Sequence, residues 1–141
     1  MPSPPLFDGR FSGAPVKIKR IGCEHPQFAA AVGQSLQLAR LRHANIAEVT
    51  CRHLVEPPGL LYLVLDDCYT NLATALEQRE MNISVVGHAV CRQMALGLRF
   101  LHHGGLPDDE YQTHLKAGRV VRALTHGNLK PSNVLLQQRP N

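Results

Sequence analysis

Apolar and polar positions recur along this chain at different periods, and those periods lay out the elements. Val16-Lys17-Ile18-Lys19-Arg20-Ile21 switches between apolar and basic residues, the two-residue period of a half-buried strand. Phe11-Ser12-Gly13-Ala14 predicts a turn before it, and the stretch from Gly22 to Pro26 breaks it. From Phe28 to Leu41, apolar residues at Phe28, Val32, Leu36, Leu38 and Leu41, padded with alanines, mark one face of a helix. Gly33 weakens the middle of that helix. Ile46 to Leu54 predicts a strand and Pro57-Pro58-Gly59 a turn. Leu60 to Leu65 is an unbroken apolar run, the pattern of a fully buried strand.

The second half reads as mainly helical. Residues 66–71, Asp-Asp-Cys-Tyr-Thr-Asn, form a polar connection, after which Leu72 and Leu76 begin a short helix. Ser84 to Leu101 carries the strongest helical stripe, with Val86, Val90, Met94, Leu98 and Leu101 at helical steps. Ser84 is the expected N-cap and Gly104-Gly105 the expected stop. Leu106 to Lys116 is polar and rich in breakers and predicts a loop. Val120-Val121 and Val134-Leu135-Leu136 predict short strands on either side of Thr125 to Asn133. Met1–Pro5, with three prolines, predicts a flexible start, and no internal repeat occurs.

Composition narrows the class. The chain has 141 residues, 44% of them hydrophobic and 18% charged, which is ordinary globular usage and points to one domain. Aromatic residues are sparse, so Leu, Val, Ile and Ala must supply the core. The net charge of +4 is spread out: residues 1–70 hold seven basic and six acidic groups, residues 71–141 eight and five. Without a basic tail or stripe, nothing argues for nucleic acid. No apolar run approaches the roughly 20 residues that span a bilayer, so no membrane role is expected. The four cysteines lie far apart and no secretory leader is evident, which points to a reducing, cytoplasmic setting. His88 and Cys91 lie three apart on one helical face, but a structural zinc site needs about four convergent ligands and the spacing supplies none. Cys68 and Cys91 read as small buried hydrophobes.

Five passages in order resemble the first half of a eukaryotic-type protein kinase domain. His126-Gly127-Asn128-Leu129-Lys130-Pro131-Ser132-Asn133-Val134-Leu135-Leu136 is similar to the catalytic loop, HRDLKPxNxLL. Val16-Lys17-Ile18-Lys19 resembles the V-A-I-K strand, and Leu41-Arg42-His43-Ala44-Asn45-Ile46 the L-x-H-P-N-I stretch after the kinase C-helix. Leu61 to Cys68 resembles the strand that leads into the hinge, and Ala95 to His102 the end of the long helix of the larger lobe.

The resemblance implies an α+β, protein-kinase-like fold. A small antiparallel sheet with one helix, reduced from the family's five strands to about three, would be followed by the start of a helical lobe. Residues 1–8 would be a flexible N-terminus, 9–65 the small lobe, 66–71 the hinge, 72–137 the start of the large lobe and 138–141 a tail. It also implies a nucleotide site. Lys19 would hold phosphate, and Gln34, nine residues before His43, stands where the family has the carboxylate partner of that lysine. Leu65 falls at the gatekeeper position, Asp66, Asp67 and Cys68 at the hinge, and Leu135 against the nucleotide. Lys130 would lie near the transferred phosphate and Asn133 would bind the metal.

The departures from the family are chemical. Asn128 replaces the catalytic Asp, and a neutral amide cannot accept the substrate's hydroxyl proton as a carboxylate does. Gln34 carries no charge to pair with an ammonium, and Gly127 replaces an Arg. Lys17 stands where the family has a small Ala against the adenine ring, and a hydrated cation there would crowd and wet the pocket. Only Gly9 and Gly13 precede Lys19, too few and too late for the family's Gly-rich loop, and no D-F-G follows Asn133 before Asn141. Weak or absent binding of ATP and Mg is therefore expected. The expected function is a pseudokinase-type binding or scaffold module with a protein partner. The alternative is a piece of an ATP-dependent Ser/Thr-type kinase acting through Lys19, Lys130 and Asn133.

Overall fold

A computed structural model describes residues 6–55 and 59–137, and the side chain of Cys51 is not among the groups described. The expected flexible start at Met1–Pro5, the Pro57-Pro58 part of the turn and the tail at 138–141 lie outside the described residues. The fold is α+β, with a small antiparallel sheet and several helices. It divides into two compact units, one made of Met1–Leu41 with Ala47–Cys68, the other of Arg42–Ile46 with Tyr69–Asn141.

The first unit is a sheet with a helix. Its strands are β1 (Leu6–Phe11), β2 (Ala14–Gly22), β3 (Val49–Val55) and β4 (Leu60–Asp66), in the order β1-β2-β4-β3 and antiparallel throughout. The sheet therefore has four strands rather than about three. The added strand is β1, which takes in Leu6 to Asp8, residues expected to be flexible. It forms because Ser12 and Gly13, with φ of 50° and 83°, make a two-residue turn with both central residues left-handed. That turn type matches the twist of the flanking strands and sets the register Phe11 opposite Ala14.

Helix α1 (Phe28–Leu38) packs on one face of this sheet. Ile21, Val49, Leu61 and Leu63 form the buried cluster, with Phe28, Ala31, Val32, Leu54 and Leu65 against it. Leu61 is fully buried. The expected helix face is corrected here: Leu36 and Leu38 are exposed, and the buried helical residue is Ser35. At roughly 100° per residue, Phe28, Ala31, Val32 and Ser35 fall within one narrow stripe. Leu36 lies roughly 80° round from Phe28.

The second unit is built from helices and one two-stranded pairing. β5 (Thr70–Asn71) leads into α2 (Leu72–Glu77), and the Asn71 side chain caps it by accepting from the Thr74 N–H at 2.9 Å. α3 (Ile83–His102) is capped by Asn82, which accepts from the Ser84 N–H at 3.0 Å. Ser84, the expected cap, is thus the second helical residue. Gly104 and Gly105, both at positive φ, end the helix as expected, and the Gly105 N–H donates to the Phe100 carbonyl. Burial along α3 concentrates at Gly97, Phe100 and Leu101, while Ile83 and Val85 are exposed.

The expected loop at Leu106 to Lys116 is instead largely helix, α4 (Asp108–Lys116). Pro107 precedes it, and Asp108, Asp109 and Glu110 fill its first turn, where carboxylates suit the positive end of the helix dipole. Polarity masked that signal because α4 buries none of its residues. It is tied to α3 by Asp108, which pairs with Arg99 at 2.8 Å and with His103 at 3.1 Å, and by Tyr111, stacked on His103 at 3.8 Å. Val120-Val121 is not a strand; Val120 is 98% exposed, and the pair has no ladder partner among the described residues. Of the expected strand at Val134–Leu136, Leu135–Leu136 forms β6, paired with β5.

Candidate functional site

In the first unit the expected nucleotide residues fall along the sheet face that carries α1. Register places Lys17 across from Leu65, Lys19 across from Leu63 and Ile21 across from Leu61, all on that face. Lys19 is half-buried there. Lys17 has a side chain only 19% exposed, and its ammonium is engaged by Asp8, directly opposite on β1, with Asp67 at 3.9 Å. The hydrogen bond to Asp8 raises the Lys17 pKa above its ordinary 10.5, against the pull of partial desolvation. A charged group is therefore fixed beside the gatekeeper-like Leu65.

Gln34 does not point to the sheet. It is exposed and lies roughly 120° round the helix from Phe28. The sheet-facing residue is its neighbour Ser35, fully buried. Ser35 Oγ donates to the Val32 carbonyl at 2.7 Å and accepts from Arg52 Nη1 at 2.9 Å. Arg52 reaches this face because a register shift between Val49 and Cys51 rephases β3, so that Val49 and Arg52, three residues apart, share one side. Neither residue was singled out by motif, though the spacing from Phe28 to Ser35 carried the signal.

The hinge-like residues are partly committed to the sheet. Asp66 ends β4, its N–H donates to the Glu48 carbonyl at 3.3 Å, and its carboxylate accepts from Thr50 at 3.1 Å. Cys68 is buried, and desolvation pushes its thiol pKa up. Cys91, expected to be buried, is exposed on α3 because its position lies off the stripe of Val86, Val90 and Met94.

In the second unit the loop from His126 to Val134 is closed on itself. Gly127 takes a φ of 71°, and the Asn128 N–H donates to His126 Nδ1 at 3.2 Å. The Asn133 side-chain amide donates to the Asn128 carbonyl at 2.8 Å. Pro131–Asn133 forms a single 3-10 turn, with the Asn133 N–H bonded to the Lys130 carbonyl. The Val134 carbonyl accepts from Leu72 and the Leu136 carbonyl from Tyr69, so the loop is anchored to β5 and α2. Leu135, opposite Asn71, is half-buried. Asn128 is exposed, and Lys130 and Asn133 are half-buried. Residues Arg42–Ile46 belong to this unit: His43 stacks on Phe100 at 4.8 Å and accepts from the Asn45 N–H at 3.0 Å.

No family model matches the chain, and no curated protein matches it. Among the described residues no helix is long and apolar enough to cross a membrane.

Proposed function

We propose that the chain is a protein-kinase-like module that has lost phosphoryl transfer and acts by binding a protein partner. The observation that carries this reading is the loop around Asn128. The Asn133 amide reaches back to the Asn128 carbonyl and gives the segment a definite shape. Yet the side chain offered at position 128 is a carboxamide, which has no basic site for a hydroxyl proton near neutral pH. The order of elements lends support: a strand bearing Lys19, one helix, two strands, a connection with the short α2, the long α3 and, after the added α4, this loop occur in the order that the resemblance implies.

The residues fit ATP poorly. The resemblance puts adenine against position 17, where the Lys17 ammonium is held by Asp8. Gln34 supplies no charge and faces away from the sheet. A scaffold role needs none of these groups to turn over.

The test is a thermal-shift titration of the 141-residue chain with ATP, with and without magnesium, beside a phosphoryl-transfer assay on a generic acceptor protein. A ligand that binds only the folded state raises the melting point by mass action. The expected result is a cooperative melt with no magnesium-dependent shift and no transfer. A shift that Lys19→Ala abolishes would overturn the reading and favour a piece of an ATP-dependent Ser/Thr-type kinase.

A further inference from the structure

Strand β1 lies at one edge of the four-stranded sheet, and among the described residues nothing pairs with its outer side. Such an edge presents unpaired N–H and C=O groups and is a template for another strand. The sequence on this edge, Phe7-Asp8-Gly9-Arg10-Phe11, is symmetric about Gly9 in size and antisymmetric in charge. Phe7 and Phe11 are 47% and 40% exposed, and the Asp8 side chain is 86% exposed.

We infer that β1 is a self-association edge, pairing antiparallel with β1 of a second copy about a two-fold axis at Gly9. Directly opposite residues in an antiparallel pair point to the same face. A two-fold axis normal to the sheet therefore allows only registers that shift by two residues. Centred on Gly9, the pairing sets Asp8 against Arg10 of the second copy twice, and Phe7 against Phe11 twice. A shift to either side sets Asp8 against Asp8 or Arg10 against Arg10, and like charges directly opposite are destabilising. Charge thus selects one register and one occupant.

The neighbours of these residues suit that register. Asp8 is held on its inner side by Lys17, and its exposed side is the one that meets the incoming arginine. Arg10 uses one donor on the Gly13 carbonyl at 3.0 Å, leaving most of its five N–H groups for a carboxylate. At the centre, a side chain on Gly9 would stand 2.5 Å from Ile18 Cδ1, so Ile18 already lies over the glycine. The flanking phenylalanines then pack across the junction on the face where Ile18 lies, and the two sheets continue into one.

The experiment is sedimentation equilibrium on the 141-residue chain from about 1 to 100 μM. The expected mass rises from 15.6 kDa to twice that value across the range. Arg10→Asp and Asp8→Arg are each expected to be monomeric throughout, since each sets like charges in opposition twice. An equimolar mixture of the two is expected to regain the doubled mass, because positions 8 and 10 are then both acidic in one variant and face positions 10 and 8, both basic, in the other. Thermal melts establish that each variant is folded. Should Asp8→Arg fail to fold, Arg10→Lys is expected to associate where Arg10→Asp does not. A wild-type chain that stays monomeric overturns the inference. So does a dimer indifferent to Arg10→Asp, or a mixture that does not reassociate.

Discussion

Arg52 donates from Nη1 to Ser35 Oγ at 2.9 Å, joining β3 to the buried side of α1. Ser35 is the one buried polar residue among the described side chains. Its hydroxyl donates its own hydrogen bond to the Val32 carbonyl, so the guanidinium meets an acceptor at the floor of the helix. Ser35→Ala removes that acceptor and is expected to cost about 1–2 kcal/mol, more than a neutral hydrogen bond because one partner is charged. Gln34→Ala, one residue away on the exposed side, is expected to stay within about 0.5 kcal/mol of the parent. Urea denaturation of both variants checks this. Equal losses would mean that α1 presents a different stripe to the sheet.

The Lys17 and Asp8 pair predicts a pH dependence with a definite sign. The folded-state pKa of Lys17 is raised above 10.5, chiefly by its hydrogen bond to Asp8. A raised pKa on a cation means stability fully present below 10.5 and lost as pH climbs through the folded value. The gap in unfolding free energy between the parent and Asp8→Asn is therefore expected to be flat at neutral pH and to close above 10.5. Denaturation at a series of pH values on both sides of that point checks it. A gap that widens with pH would assign the stabilisation to another group.

The sequence made β2 and α3 legible by a single strong period, β4 by an unbroken apolar run, and α1 as an element though not in its buried face. Its failures have physical causes. β1 rests on a turn whose left-handed Ser12 is invisible to pattern, since only Gly13 advertises that conformation. α4 has no apolar stripe to detect; its first-turn carboxylates and the Asp108 contacts to Arg99 and His103 replace packing. Val120-Val121 has strand residues but no neighbour to pair with, and β propensity expresses itself only through cross-strand contacts. At the candidate site, motif spacing singled out Asn128, Lys130, Asn133 and Gln34. The Ser35 and Arg52 contact on the same sheet face was not legible, because the first needs helix phase and the second a bulge.

Among the described cysteine side chains, Cys68 and the exposed Cys23 and Cys91 should separate cleanly by reactivity. Cys68 is buried and desolvation raises its thiol pKa, whereas Cys23 and Cys91 are exposed. The thiolate is the reacting species, so both burial and the raised pKa slow attack. Site-resolved mass spectrometry after native iodoacetamide treatment is expected to show Cys23 and Cys91 labelled at least about tenfold faster than Cys68. Denaturant should erase the difference. Fast native labelling of Cys68 would mean that the end of β4 opens on the timescale of the reaction.

Two glycines in helices predict opposite outcomes for the same substitution. Gly33 lies in α1 with nothing within 4 Å of where a Cβ would stand. Gly33→Ala therefore gains helix propensity without a clash, and the chain is expected to be about 0.5–1 kcal/mol more stable. Gly97 lies in α3 under the segment that carries His43, where a Cβ would stand 2.7 Å from the Asn45 carbonyl oxygen and 3.3 Å from Ile46 Cδ1. The near atom is backbone, fixed in part by the Asn45 N–H bond to His43 and by the stacking of His43 on Phe100, so it cannot swing aside as a side chain would. Gly97→Ala must push that segment off the helix, and overpacking of this kind costs about 1–3 kcal/mol, outweighing the gain in propensity. Paired thermal melts check both signs. A stabilising Gly97→Ala would mean that residues 42–46 lie further from α3 than the 2.7 Å approach requires.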